Sequence, residues 1–113
     1  MTDRVQAIRP VNLGRLMESY ETAARACSLL KAMSNEWRLM ILCLLTEGSM
    51  TVSQLQRELG ISQSALSQHL AVLRRERLVQ SSKRAQSVSY SLTGGAATAV
   101  MKVLHDVFCG RTE

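Results

Sequence analysis

The groups in this 113-residue chain that can do chemistry are three thiols, two imidazoles and a run of hydroxyl, amide and guanidinium side chains. The thiols are Cys27, Cys43 and Cys109; the imidazoles are His69 and His105. A thiolate attacks disulfide or sulfane sulfur, and two thiolates can close a bridge or share a thiophilic metal. There is no CxxC pair, so a zinc ribbon is not expected. His105 stands four residues before Cys109, which puts both on one helix face. With Cys43 they form a candidate thiolate–imidazole ligand set, one of the open readings of the sensor. No nucleophile–base constellation or phosphate-binding loop is present, so neither an enzyme nor a bound cofactor is expected.

The polar run is Ser62-Gln63-Ser64-Ala65-Leu66-Ser67-Gln68-His69-Leu70. Ser62 reads as an N-cap, and Leu66, Leu70 and Leu73 recur at i, i+4, i+7 as a narrow apolar stripe. On a helix, Ser64, Ser67, Gln68, Ala71 and Arg75 then point the other way. Small and amide side chains at the start of such a face suit base edges, while Arg74, Arg75 and Arg77 suit phosphates. His69 falls between stripe and outer face, and serves either as a packed or capping group or as a DNA contact. Just upstream, Thr51-Val52-Ser53-Gln54 has capping-box form, and a short helix carrying Val52, Leu55 and Leu59 should stop at Gly60. Two helices joined by a short Gly-containing turn make a helix-turn-helix.

Beyond it, Val88, Tyr90 and Leu92 alternate with serine, the period of a half-buried strand. Paired with Leu78 to Ser82, this predicts a hairpin whose tip, Lys83-Arg84-Ala85-Gln86, is basic. The whole is a winged helix-turn-helix. The tip has no Gly, so its turn type stays open.

The remaining helices must carry this reader. A polar arm over residues 1–12 is expected, followed by one DNA-binding and dimerisation domain over 13–113. From about Leu13 to Met33 a first helix places Leu16, Tyr20, Ala23, Cys27 and Leu30 at 4-3-4-3 spacing, a heptad-like seam. That seam needs either the domain's own core or a second copy of the chain. Cys27, on the seam, is expected to be a small buried hydrophobe. Asn35 restarts the chain as a second helix, apolar nearly all round from Leu39 to Leu45 and so centrally buried. Cys43 within it would ordinarily be inert core. A last helix over about Ala96 to Cys109 has Ala97, Val100, Met101, Leu104 and Phe108 on one stripe, facing the first helix and a partner, with Gly110 as its stop.

Charge follows the same division. Residues 1–50 hold six Lys/Arg against five Asp/Glu, and residues 51–113 hold eight against four, so +4 of the net +5 lies in the reading half. Four aromatic residues in all argue against a single-strand binder, which needs stacking platforms. The longest apolar run, Leu39 to Leu45, is too short to span a bilayer, and no signal peptide is visible. A cytoplasmic protein with resting thiols and no membrane partner is expected.

The order helix, helix, helix-turn-helix, wing, helix resembles the ArsR/SmtB family of small dimeric winged-helix repressors. The stretches Leu30 to Ser34, Arg38 to Cys43 and Ser62 to Leu70 carry the likeness. The resemblance implies a mainly α fold of five helices plus a β-hairpin wing, homodimeric through the first and last helices. Leu16, Tyr20, Ala23, Cys27, Val100 and Leu104 would form that interface. It implies operator contacts from Gln63, Ser64, Ser67 and Gln68, to which His69, Arg74, Arg75, Lys83 and Arg84 are added as candidates. The arsenic-type Cys-x-Cys is replaced here by Thr51 and Ser53. The zinc-type positions on the last helix are occupied by Gly94, Ala96, Val107 and Gly110, so no metal is expected at either place. Cys43 with Cys109 resembles the BigR/SqrR branch, shared in layout by HlyU-like regulators. That branch senses persulfides and polysulfides through two such cysteines. The resemblance thus implies reactive sulfur species as inducer and a Cys43–Cys109 di- or polysulfide as the switch. General thiol oxidation, a thiophilic metal, and an anti-repressor output are the alternatives.

Overall fold

Ser19 opens the described part of the chain by accepting the Thr22 backbone N–H on its hydroxyl at 3.0 Å, a side-chain N-cap. The computed structural model of the protein describes residues 19–110. The expected arm over 1–12, the helix start near Leu13 and the interface residue Leu16 lie outside the described residues. The described helix α1 spans Tyr20–Met33 and begins at the Ser19 cap.

Asn35 caps α2 (Glu36–Leu45) through its side-chain carbonyl, which accepts the Arg38 backbone N–H at 3.0 Å. α2 buries Ile41, Leu42 and Leu45, but Met40 and Cys43 stay exposed. It is therefore buried on one face only, with apolar residues left exposed on the other, and the expectation of a helix buried all round is corrected. A small domain lacks enough surrounding elements to cover every side of one helix.

Strand β1 (Met50–Thr51) leads into α3 (Val52–Leu59). Thr51 and Gln54 make the full capping box: Oγ1 accepts the Gln54 N–H at 3.1 Å, and Oε1 accepts the Thr51 N–H at 2.8 Å. Gly60 ends α3 at φ 70°, the left-handed conformation that favours glycine. Ser62 caps α4 (Gln63–Arg75) by accepting the Ala65 N–H at 3.1 Å. Leu66, Leu70 and Leu73 of α4 are all buried, the stripe read from their spacing.

α4 closes with a Schellman pattern: Leu78 N–H donates to Leu73 C=O and Arg77 N–H to Arg74 C=O, both at 2.9 Å. The left-handed residue is Arg77 at φ 63°, where glycine would be usual. Thr93 holds this turn by donating its hydroxyl to the Arg77 and Leu78 carbonyls.

β2 (Val79–Arg84) and β3 (Ser87–Leu92) pair antiparallel from Val79↔Leu92 to Arg84↔Ser87. The turn is Ala85–Gln86 alone, so Lys83 and Arg84 close a strand and do not form the loop tip. The sheet has a third member: β1 pairs with β3 through Met50↔Tyr90 and Thr51↔Ser89. β3 is therefore central, and Ser89 and Ser91 are half-buried alongside Val88, Tyr90 and Leu92. A two-residue strand has no periodicity to read, which is why the sequence reveals only the hairpin. Ala85 sits at φ 57°. Ala85→Gly should relieve that strain and, after the extra chain entropy of glycine, raise stability by about 0.5–1 kcal/mol in urea denaturation.

After Gly94 and Gly95, α5 runs over Ala96–His105 and continues as a π-helical turn, Asp106–Gly110. The expected α-helix to Cys109 is thus shortened, and Gly110 is no left-handed stop. A Cβ at Gly110 would lie 2.9 Å from the ring of His105, an exposed side chain at the helix end. Ala97 is buried; Val100, Met101 and Leu104 are half-buried; Phe108 is 78% exposed. The core gathers α1 to α5 and β2 around Met33, Ile41, Leu42, Leu55, Leu66 and Leu73. Five helices and a three-stranded antiparallel sheet among the described residues give the winged helix-turn-helix.

Candidate DNA-reading face and thiol groove

Two surfaces carry the chain's chemistry. The first is the outer side of α4. Because the leucine stripe is pulled into the core, Gln63, Ser64, Ser67, Gln68, Arg74 and Arg75 are all exposed. Ser67, Arg74 and Arg75 share a surface groove with Tyr90 of the wing, and Gln63 shares another with Gln86 and Ser87. The wing thus stands beside the recognition helix, with Lys83 and Arg84 exposed on β2. Amides and hydroxyls lead this face, and cations end it.

His69 departs from that set. Its ring is half-buried, and Nδ1 lies 3.4 Å from Nη1 of Arg38. A guanidinium is always a donor, so Nδ1 accepts and the neutral ring carries its proton on Nε2. Burial first, and the adjacent Arg38 cation second, hold the imidazole below its ordinary pKa. His69 therefore sits against Arg38 where α2 meets α4, the packed role among those expected of it. Arg38 also donates Nε–H to the Ala32 carbonyl at 2.6 Å and Nη2 to the Lys31 carbonyl at 3.2 Å, capping α1. Sequence reading missed this role. The available signal was a cation in the first turn of a helix, where the dipole disfavours it.

The lowered pKa has a stability consequence. Above the ordinary histidine value of 6.5 the ring is neutral in both states, and its contribution to stability is fully present. As pH falls below 6.5 the unfolded chain takes up the proton first, so stability declines until the folded ring also protonates. Chemical denaturation between about pH 7 and 5 should show that decline, and His69→Asn, which keeps an acceptor but does not titrate, should flatten it.

The second surface is an apolar groove of about 280 Å³ between α2 and α5, lined by Leu39, Met40, Cys43, Met101, Leu104, His105, Phe108 and Cys109. Both candidate sensing thiols are exposed and both line this groove. The reading of Cys43 as inert core is overturned: five residues beyond Arg38, it falls on the side of α2 turned to α5. Cys27 is exposed as well, on the outer side of α1, and the expectation of a buried residue there is corrected. A seam whose residues point outward is not satisfied by the chain's own core. Tyr20 is 87% exposed and Leu30 54%, with Ala23 half-buried.

His105 pairs loosely with Asp106, Nδ1 to Oδ1 at 3.8 Å, with both side chains solvated. Among the described residues no three His, Cys, Asp or Glu side chains are grouped so as to hold a metal ion. Cys43, His105 and Cys109 line one groove without forming such a cluster. Among the same residues no helix is long and apolar enough to cross a membrane.

Comparison with known proteins agrees with this architecture. Residues 35–81, from the cap of α2 into the wing, match the model of the bacterial regulatory protein, arsR family. The chain is 47% identical over 100 residues to the transcriptional activator HlyU of Vibrio cholerae, covering 88% of this chain and 90% of that protein. The solved structure of reduced HlyU from Vibrio cholerae is similar with a TM-score of 0.77 and 48% identity, over 83% of this chain and 99% of that one. The transcriptional repressor BigR from Xylella fastidiosa superposes with a TM-score of 0.74 at 35% identity, over 80% of this chain and 93% of its own. A winged helix-turn-helix with this face and this degree of likeness has one standing: the chain belongs to the ArsR family, whose members are DNA-binding transcriptional regulators and not enzymes.

Proposed function

We propose that the protein is a homodimeric repressor that binds operator DNA when its thiols are reduced and lets go when Cys43 and Cys109 become bridged by sulfane sulfur. The observation that carries this reading is the shared groove: two thiols far apart in sequence line one apolar cleft. Operator contact falls to Gln63, Ser64, Ser67 and Gln68 for bases, and to Arg74, Arg75, Lys83 and Arg84 for phosphates. The dimer forms through the outward seam of α1, with Tyr20, Ala23 and Cys27, and through Val100 and Leu104 of α5. The exposure of Tyr20, Val103, Val107 and Phe108 in the single chain supports an apolar partner surface there.

The chemistry balances without an added oxidant. Each thiolate attacks the outer sulfur of an organic persulfide, becomes a cysteine persulfide and expels the organic thiol. The Cys43 persulfide then attacks the inner sulfur of the Cys109 persulfide and expels hydrogen sulfide, leaving a trisulfide. If instead the Cys109 thiolate attacks the Cys43 sulfur of a single persulfide, hydrogen sulfide again leaves and a disulfide remains. A plain disulfide needs Cα atoms within about 7 Å. A longer bridge spans a wider groove, so a pair set beyond that reach would take up polysulfide in preference to simple oxidation.

Intact-mass analysis paired with operator binding tests the reading. After an organic persulfide, the Cys43–Cys109 pair should gain about 32 Da for each inserted sulfur less about 2 Da for the two hydrogens lost on bridging, with loss of operator binding. Glutathione disulfide or peroxide acting equally well through a plain disulfide would make the protein a general thiol-oxidation sensor. Its likeness to a protein named an activator supports a second output, anti-repression, in which the same DNA grip displaces another bound protein. Transcription in vitro with and without that competitor separates the two.

A further inference from the structure

Arg38 belongs to α2, touches the end of α1 and reaches the recognition helix α4 through hydrogen bonds. Its guanidinium holds the Ala32 and Lys31 carbonyls and the His69 ring at once. Cys43 lies five residues further along α2. That is about 7.5 Å up the axis and about 140° around it. The two residues therefore face opposite ways: Arg38 toward α1 and α4, Cys43 toward the groove against α5. Ile41, Leu42 and Leu45 fall within about 60° of Arg38 on that same face and are fully or nearly fully buried, so the Arg38 side of α2 is packed into the core and the Cys43 side is not. A covalent link drawn from Cys43 toward α5 acts on one side of α2, and the joint that such a pull stretches is on the other.

We infer that Arg38 and His69 are positioning residues that carry the state of the thiol groove to the recognition helix, the Arg38–His69 hydrogen bond being present in the reduced, DNA-binding form and broken when Cys43 is bridged to Cys109. The inference rests on the thiol-switch reading above and deepens it by naming the two-state contact. The contact is a single long hydrogen bond, 3.4 Å, so it is the weakest of the three that Arg38 makes. The two carbonyl contacts anchor Arg38 to α1 while the His69 contact gives way. Burial is the larger cause of the lowered imidazole pKa and the Arg38 cation the second, so loss of this packed contact would relieve both.

The test compares operator affinity of reduced and persulfide-treated protein for the wild type, His69→Leu, His69→Asn and Arg38→Lys. Bridging should weaken wild-type binding by about tenfold or more. His69→Leu removes the acceptor, and Arg38→Lys removes the fork that reaches all three partners. Each should shrink the reduced-to-bridged ratio by about three- to tenfold, while the mass of the treated protein still shows the bridge. His69→Asn keeps an acceptor near the Nδ1 position and should restore most of the ratio. In the wild type, imidazole NMR should show the His69 pKa rising toward the ordinary histidine value on bridging, a readout that does not depend on any variant folding. A wild type that bridges but keeps its full DNA affinity defeats the thiol switch and this relay together. A wild type that responds, with His69→Leu responding equally and the His69 titration unmoved, defeats the relay alone.

Discussion

Cys43→Ser and Cys109→Ser are each expected to abolish release of operator DNA by persulfide, while reduced-state affinity stays within about twofold of the parent. The wild type should lose about tenfold to a hundredfold in affinity on the same treatment. Serine is close in size to cysteine and both positions are exposed, so neither change opens a cavity or strands a buried polar group. Each single variant keeps one thiol in the groove, and that thiol can still take up a sulfane sulfur. What it cannot do is staple α2 to the end of α5. The measurement is therefore paired: mass shows a lone persulfide and DNA binding shows no response. Cys27→Ser is the control. It lies on the outer side of α1, away from the groove lining, and should respond as the wild type does. Loss of response in Cys27→Ser alone would mean that the switch uses a different pair of thiols.

Gln68→Ala is expected to lower operator affinity by about 1–3 kcal/mol while leaving binding to unrelated duplex nearly unchanged. An amide can bond two edges of one base, and alanine removes both contacts without disturbing the leucine stripe on the opposite face. Ser64→Ala should act in the same direction with smaller effect. Arg74→Ala, Arg75→Ala, Lys83→Ala and Arg84→Ala should instead weaken specific and non-specific binding alike. In a dimer each of these changes removes two phosphate contacts, so the slope of log affinity against log salt should fall by about two. Titration of the variants at several salt concentrations separates the classes. Gln68→Ala and Ser64→Ala with unaltered operator affinity would favour a protein-interaction module over a DNA reader.

The local elements were written in local signals, and the chain obeys them. Thr51 with Gln54, Ser62, Asn35 and Gly60 cap helices where hydroxyls, amides and a left-handed glycine satisfy end groups, and these effects act over one helical turn. The leucine spacing of α4 chose its buried side, and so by difference the side left for DNA. Tertiary structure decided the rest. Whether Cys43 lay in the core or in a groove depended on which flank of an almost wholly apolar helix α5 would cover, and such a helix has no polar face to mark it. The pairing of Met50–Thr51 with β3 joins residues too few to show a period. The Arg38–His69 contact spans 31 positions, and the last helix passes into a π turn over Asp106–Gly110. Spacing along the chain reports on neighbours within a turn or two. Which distant surfaces meet is settled by how whole elements pack, and there a sequence offers residue types without their partners.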